Sequence, residues 1–195
     1  MTMTYQVNNV IRICSYTLRG IRKIRKYLTP YVLKTLVVNL VISKIDFLNS
    51  LYTNLSKNDI SRLNVLLNNC ARLVTFSSLY VSITPVLFGL HWLRIEYRVK
   101  YKCSLFVFKV VHGLVSPVYI SVMFPVRTSV RHTRLADDVT QIRLPRVATR
   151  YGQNSFQVTC VRTWNDLPRD IRETNNIHLF KKSLKTFYFR LCFEL

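Results

Sequence analysis

Ile95, Val99, Cys103, Phe106 and Val110 recur at spacings of four, four, three and four residues. An α-helix gathers residues so spaced into one stripe, and an apolar stripe has to be buried against another element. Ile60, Leu63, Leu67, Cys70 and Val74 follow the same rule, at three, four, three and four. So do Ile177, Phe180, Leu184, Phe187 and Leu191 near the C-terminus. Stripes this far apart in the chain predict a mainly α, helical bundle-like domain. They place Leu67 and Phe106 in its interior.

Start and stop signals frame these helices. Gly113 follows the last residue of the first stripe and is free to take the left-handed conformation that ends a helix, with Pro117 beyond it. Thr29-Pro30 reads as an N-cap followed by proline in the first turn. The helix from there to about Phe47 is apolar almost all round, which predicts a central position. Asp59 is the expected cap of the Ile60 stripe and Asn176 that of the last helix. Thr84-Pro85 opens a short helix ending at Gly89, and Ser155 to Trp164 forms another that ends before Asn165-Asp166-Leu167-Pro168. Residues 1–9 read as frayed. Val10 to Tyr27 reads as helical, with Ile13, Tyr16, Ile21 and Ile24 on or near one side and Gly20 weakening it.

Residues 115–153 lack a helical period. They hold Pro117, Pro125 and Pro145 and short alternating runs such as Thr140-Gln141-Ile142-Arg143-Leu144, which predicts an irregular or short-hairpin basic segment before the C-terminal helices. Two parts are expected, residues 1–78 and residues 79–195.

Charge narrows the choice of partner. Lys+Arg number 29 and Asp+Glu 9, a net +20, and such an excess calls for a polyanion, most commonly nucleic acid. An anionic membrane surface is the competing choice. Hydrophobic residues make up 49%, too many for a disordered tail. The most apolar window, Val32 to Leu48, is interrupted by Lys34, Lys44 and Asp46 and falls short of the ~20 apolar residues of a membrane span. No secretory signal is evident. Five dispersed cysteines, Cys14, Cys70, Cys103, Cys160 and Cys192, read as reduced, partly buried thiols, so an intracellular location, cytoplasmic or nuclear, is expected.

No catalytic set emerges, and no cofactor or metal is expected. Ala136-Asp137-Asp138 spells the paired aspartates of a polymerase palm, which hold two divalent metals for nucleotidyl transfer. That chemistry needs a tight turn between apolar strands and a third aspartate elsewhere. Arg131-His132-Thr133-Arg134 precedes the pair instead, so an ordinary loop acid pair is the simpler reading. There is no C-x-x-C and no H-x-x-x-H. His91, His112, His132 and His178 are scattered, and a Cys103–His112 nucleophile pair has no support beyond composition. Four glycines do not make a phosphate-cradling loop.

Basic clusters remain. Arg19, Arg22, Lys23, Arg25 and Lys26 crowd one helix beside Ile21 and Ile24. Lys181, Lys182, Lys185 and Arg190 crowd another. A solvated surface explains either. Between residues 127 and 172 lie Arg127, Arg131, Arg134, Arg143, Arg146, Arg150, Arg162, Arg169 and Arg172 without one lysine. Solubility alone does not discriminate between the two, whereas bidentate contact with phosphate favours arginine. The nucleic-acid-binding candidates are therefore Arg22, Lys23, Arg25, Lys26, Arg127, Arg131, Arg134, Arg143, Arg146, Arg150, Lys181, Lys182 and Lys185. Tyr151 and Trp164 are of a type that stacks on bases, although Trp92, Phe106, Phe156, Trp164 and Phe180 are more simply core residues.

The order of local motifs resembles a known family. The stretch from Ile83 to Tyr119 begins ITPVLFGLHWL and ends HGLVSPVY. It resembles the C-terminal region of reverse transcriptases from non-LTR, LINE-type retrotransposons of the jockey and chicken-repeat-like kind. Ile21 to Thr29, Ser43 to Phe47, Asn49 to Leu51 and Asn69 to Thr75 resemble upstream blocks of that region. Pro145-Arg146, Tyr151-Gly152, Ser155-Phe156, Trp164 to Pro168, Ile171-Arg172 and Phe180 to Thr186 resemble downstream blocks, in order. Together they span about residues 10 to 190. The resemblance implies the thumb and post-palm part of an RNA-directed DNA polymerase, without the palm aspartates or the endonuclease, and hence a non-catalytic fragment of a transposable-element enzyme. Its implied partners are template–primer duplex, RNA or DNA, and the missing palm and fingers. A retained helical protein–protein module without activity is the alternative, and a membrane-surface binder a third.

Overall fold

A computed structural model of the chain describes residues 3–114, 119–125 and 141–194. Arg127, Arg131, Arg134 and the Asp137-Asp138 pair lie outside the described residues. Among the described residues every extended regular element is a helix, as a mainly α chain requires. The eleven α-helices are α1 (Met3–Ile24), α2 (Pro30–Val37), α3 (Ser43–Asp46), α4 (Lys57–Thr75), α5 (Ile83–Leu90), α6 (Ile95–Val111), α7 (Tyr119–Val122), α8 (Arg150–Gln153), α9 (Phe156–Asn165), α10 (Arg169–Arg172) and α11 (Ile177–Phe193). The chain divides into two compact units, Met1–Arg98 with Phe189–Leu195, and Val99–Tyr188.

In the first unit α1 packs on α4 and α2, and α2 on α4. Val7, Val10, Cys14, Leu18 and Ile21 form the buried side of α1. They share a core with Leu63, Leu67, Cys70 and Val74 of α4 and with Leu33, Val37, Val41, Ile42 and Ile45. Each such side chain contributes about 1.5–3 kcal/mol by leaving water.

Three sequence expectations change here. Residues 3–9 are helical rather than frayed, because Val7 and Val10 extend the apolar stripe by two turns and the helix gains a partner at its start: Thr4 Oγ1 donates to Asp59 Oδ2 at 3.2 Å. The same stripe turns Ile13, Tyr16 and Ile24 outward, all exposed, leaving Ile21 alone of the expected side in the core. The segment from Pro30 is one-sided too, with Tyr31, Val32 and Leu40 exposed. A π-helical turn over Val38–Ile42 joins α2 to α3.

Capping follows the chemistry of orphaned amides. Thr29 accepts from the Val32 N–H with Pro30 in the first turn. Ser56, not Asp59, caps α4. Its Oγ accepts from the Asp59 N–H at 3.1 Å and donates to Asp59 Oδ2 at 2.9 Å, so Asp59 is the third-position acid that braces the cap. Asn176 Oδ1 accepts from His178 N–H at 2.8 Å at the start of α11. Gly113 closes α6 with φ +65°, the left-handed geometry its lack of Cβ allows.

The second unit is built around aromatic rings. Phe108 stacks on Phe180 with centroids 4.1 Å apart, and Trp164 lies 5.8 Å from Phe180. All three are fully buried. On α6 the fully buried residues include Cys103, Ser104, Val107 and Phe108, whereas Phe106 is only half-buried, edge-on to Phe124 at 5.8 Å and Phe156 at 5.5 Å. α6 is thus buried on two sides, which a single stripe did not anticipate. α11 buries Phe180, Leu184, Tyr188 and Cys192 at intervals of four, and leaves Leu191 exposed and Ile177 and Phe187 half-buried.

Candidate nucleic-acid interface

The described binding candidates fall into three groups. Arg22 and Lys23 end α1, and Arg25 and Lys26 sit in the single 3₁₀ turn Arg25–Tyr27 that follows. Arg22, Lys23 and Lys26 are exposed. Arg25 is half-buried, its guanidinium 4.0 Å above the Phe76 ring, a cation–π contact that ties the end of α1 to the end of α4. Lys26 Nζ lies 4.9 Å from the Tyr27 ring.

Arg143, Arg146 and Arg150, all exposed, form the second group. Their backbone is irregular between Arg143 and Thr149 but anchored at both ends. The buried Ile142 exchanges two hydrogen bonds with the Asn165 side chain, and Arg143 N–H donates to Pro125 C=O at 3.1 Å. At the other end Thr149 caps the short α8 by accepting from Gly152 N–H at 3.1 Å. A Cβ at Gly152 would meet Val147 Cβ at 3.1 Å and Thr149 Oγ1 at 3.2 Å, so a larger residue there would need these side chains to give way by a few tenths of an ångström. Tyr151 is exposed beside Arg150, while Trp164 is core.

Lys181, Lys182 and Lys185 make the third group, on α11; Lys182 and Lys185 are exposed and Lys181 half-buried. The remaining arginines divide. Arg162 is exposed. Arg169 pairs with Glu173 at 2.5 Å. Arg172 is buried and donates to Leu167 C=O at 3.0 Å, a structural part.

Three of the acids are engaged elsewhere. Asp46 receives the Arg98 guanidinium in a two-pronged pair, Nε to Oδ1 at 2.9 Å, and Asp59 receives Arg62 at 3.2 Å. Glu96 accepts from Asn64 Nδ2 at 3.0 Å, and Asn64 Oδ1 accepts the Ile95 N–H, so Asn64 caps α6. Among the described residues, Arg22, Lys23, Arg143, Arg146, Arg150, Lys182 and Lys185 take part in no ion pair.

Nucleophiles and metal ligands do not converge. All five cysteines are buried and none forms a disulfide. Burial pushes the Cys70 thiol up to about 12, with Cys14 adding to the shift. A hydrogen bond with Cys103, then burial, raises Cys160. Thiols held neutral are poor nucleophiles. His112 Nδ1 lies 2.9 Å from its own Phe108 carbonyl and the ring stacks on Phe108. Among the described residues no three metal-ligating side chains cluster, and no helix is long and apolar enough to cross a membrane.

A shallow cavity of about 220 Å³ lies at the start of α1, lined by Tyr5, Asn8, Asn9 and Arg12. It escaped notice in the sequence because those residues read as frayed. The signal that reveals it is the stripe Val7, Val10, Cys14, which fixes the opposite face.

Compared with family models, curated proteins and solved structures, the chain matches none.

Proposed function

We propose that this chain is a non-catalytic, nucleic-acid-contacting C-terminal part of a non-LTR retrotransposon RNA-directed DNA polymerase. In that role it grips template–primer duplex by the phosphate backbone while a separate palm performs nucleotidyl transfer. The observation that carries the reading is the set of exposed cations Arg22, Lys23, Arg143, Arg146, Arg150, Lys182 and Lys185, which have no ion-pair partner among the described residues, in a chain of net +20. Flexible or helical cations that meet phosphates give affinity with little dependence on sequence. The ordered motif resemblance supplies the parent enzyme.

The test is a salt titration. Binding of the intact chain to a fluorescein-labelled duplex should fall with log salt at a slope of about −0.9 per phosphate contacted on DNA. Two unrelated duplex sequences should give the same slope. Salt-independent binding, or preference for anionic vesicles over duplex at equal ionic strength, overturns it. Primer extension with Mg²⁺ or Mn²⁺ should yield no product, and incorporation abolished by Asp137→Ala would make the chain catalytic.

A second reading is a protein–protein module. Phe47, Leu48 and Leu51 favour it: they are exposed together on one turn, Leu48 in the left-handed region at φ 51°. Exposed apolar groups clustered in this way are typical of docking surfaces. A partner captured equally well by Phe47→Ser would exclude that turn.

A further inference from the structure

The outer face of α1 has a pattern that phosphate binding leaves unused. Tyr5, Asn9, Arg12, Tyr16, Arg19 and Lys23 follow one another at four, three, four, three and four residues, so they form one row along the helix. The buried side, Val7, Val10, Cys14, Leu18 and Ile21, lies opposite. Tyr5 and Tyr16 are 79% and 76% exposed, more than packing or burial of a hydroxyl would require. Arg12, Arg19 and Lys23 are exposed too, and the helix contains no acid. The row is about 27 Å long at 1.5 Å per residue. At its first turns lies the shallow, open 220 Å³ hollow lined by Tyr5, Asn8, Asn9 and Arg12, whose guanidinium donates to Asn9 Oδ1 at 3.2 Å.

We infer that this face binds a single-stranded nucleic acid, with one unpaired base seated in the cavity against Tyr5 and a second stacked on Tyr16. The inference rests on the reading of the chain as a nucleic-acid binder but assigns a surface that shares only Lys23 with the duplex-binding set, and a different form of the ligand. Arg12 stands between the two rings and Arg19 and Lys23 continue the row beyond Tyr16, in keeping with a strand that offers both phosphates and bases, and stacking is available only when bases are unpaired. A duplex hides the π-faces of its bases, and phosphate contact alone leaves Tyr5 and Tyr16 without a role. Amides beside the Tyr5 ring present both a donor and an acceptor, the pair a base edge needs. The cavity is smaller than the ~300–1,000 Å³ of a drug-sized site, in keeping with one planar ring.

Fluorescence anisotropy on the full chain tests this, with a labelled single-stranded RNA of mixed sequence and the matching duplex as probes. Tyr5→Ala with Tyr16→Ala should weaken single-strand binding at least tenfold, since stacking is lost at each position, and leave duplex binding within about twofold. Tyr5→Phe with Tyr16→Phe should restore single-strand binding, because the ring remains. Both tyrosines are exposed, so the helical circular dichroism should be unchanged. Single-strand affinity that survives the alanine pair, or falls in parallel with duplex affinity, overturns this inference and leaves the duplex reading standing. Failure of the unsubstituted chain to bind either probe overturns both.

Discussion

Asn165 holds Ile142 by both backbone groups: Ile142 N–H donates to Asn165 Oδ1 at 3.1 Å and Asn165 Nδ2 donates to Ile142 C=O at 2.9 Å. A single side chain from the end of α9 thus imitates one rung of a sheet for this segment. It matters for the proposed binding because Arg143 is the next residue and Arg146 and Arg150 follow on the same irregular path.

Asn165→Ala should be strongly destabilising. It leaves a buried amide and a buried carbonyl unmade, at about 1–3 kcal/mol for each group. Urea unfolding followed by far-UV circular dichroism should show the midpoint fall with little change in slope. Asn165→Asp should recover less than half the loss, since a carboxylate accepts from the Ile142 N–H but has no donor for its carbonyl.

Leu67→Ala should cost about 2–5 kcal/mol, the range for a fully enclosed aliphatic side chain, because Leu67 is completely buried in the first unit. Phe106→Ala should cost less than Leu67→Ala, despite removing more atoms. Phe106 keeps one side toward solvent and touches Phe124 and Phe156 only edge-on. Equal losses by thermal unfolding would mean that Phe106 is enclosed after all.

Alkaline pH should destabilise the fold through its thiols. Burial raises the thiol of Cys70 from its ordinary value of 9.0 to about 12 and raises those of Cys14 and Cys192 as well. The unfolded chain therefore releases these protons first. Stability is complete below pH 9 and falls as pH climbs from 9 toward 12, with a slope of at most about 1.4 kcal/mol per unit for each thiol. Titration of stability against pH in a Cys70→Ser background should show a shallower decline. A disulfide-exchange thiol reagent at pH 8 should react with the folded chain only after denaturant is added.

The helical fold was legible because its signals are local. The stripe on α4, the Thr29-Pro30 start, the Asn176 cap and the Gly113 stop each depend on residues within a turn of one another. What escaped depends on distance. Asn64 caps α6 from 31 residues away, and Arg98 meets Asp46 across 52; nothing in either local sequence announces these partners. The expected cap of α4 is Asp59, but Ser56 takes that place, because a serine and an aspartate three apart satisfy each other. Phe106 was misplaced because a helix packed on two sides has no single stripe to find, and Leu191 because the buried row of α11 runs through Tyr188 and Cys192 instead. The basic residues were readable as a charge excess, but only structure separates Arg172, spent on a carbonyl, and Arg25, resting on Phe76, from the exposed Arg143, Arg146 and Arg150.

Arginine identity, not charge alone, should matter in the Arg143–Arg150 segment. Replacing Arg143, Arg146 and Arg150 with glutamine removes three exposed cations that have no ion-pair partner among the described residues. If each meets a phosphate, the salt slope for DNA duplex should drop by about 2.7, at −0.9 for each contact, and all sequences should weaken about equally. Lysine at the same positions keeps the charge and therefore most of the slope, but loses the planar fork, so affinity should fall between the two. The substitutions leave Ile142 and its Asn165 clamp in place, and the melting temperature should stay within 2–3 °C or so of the unsubstituted chain, as surface changes usually do. A glutamine variant with an unchanged slope would move phosphate contact away from this segment and onto α1 and α11.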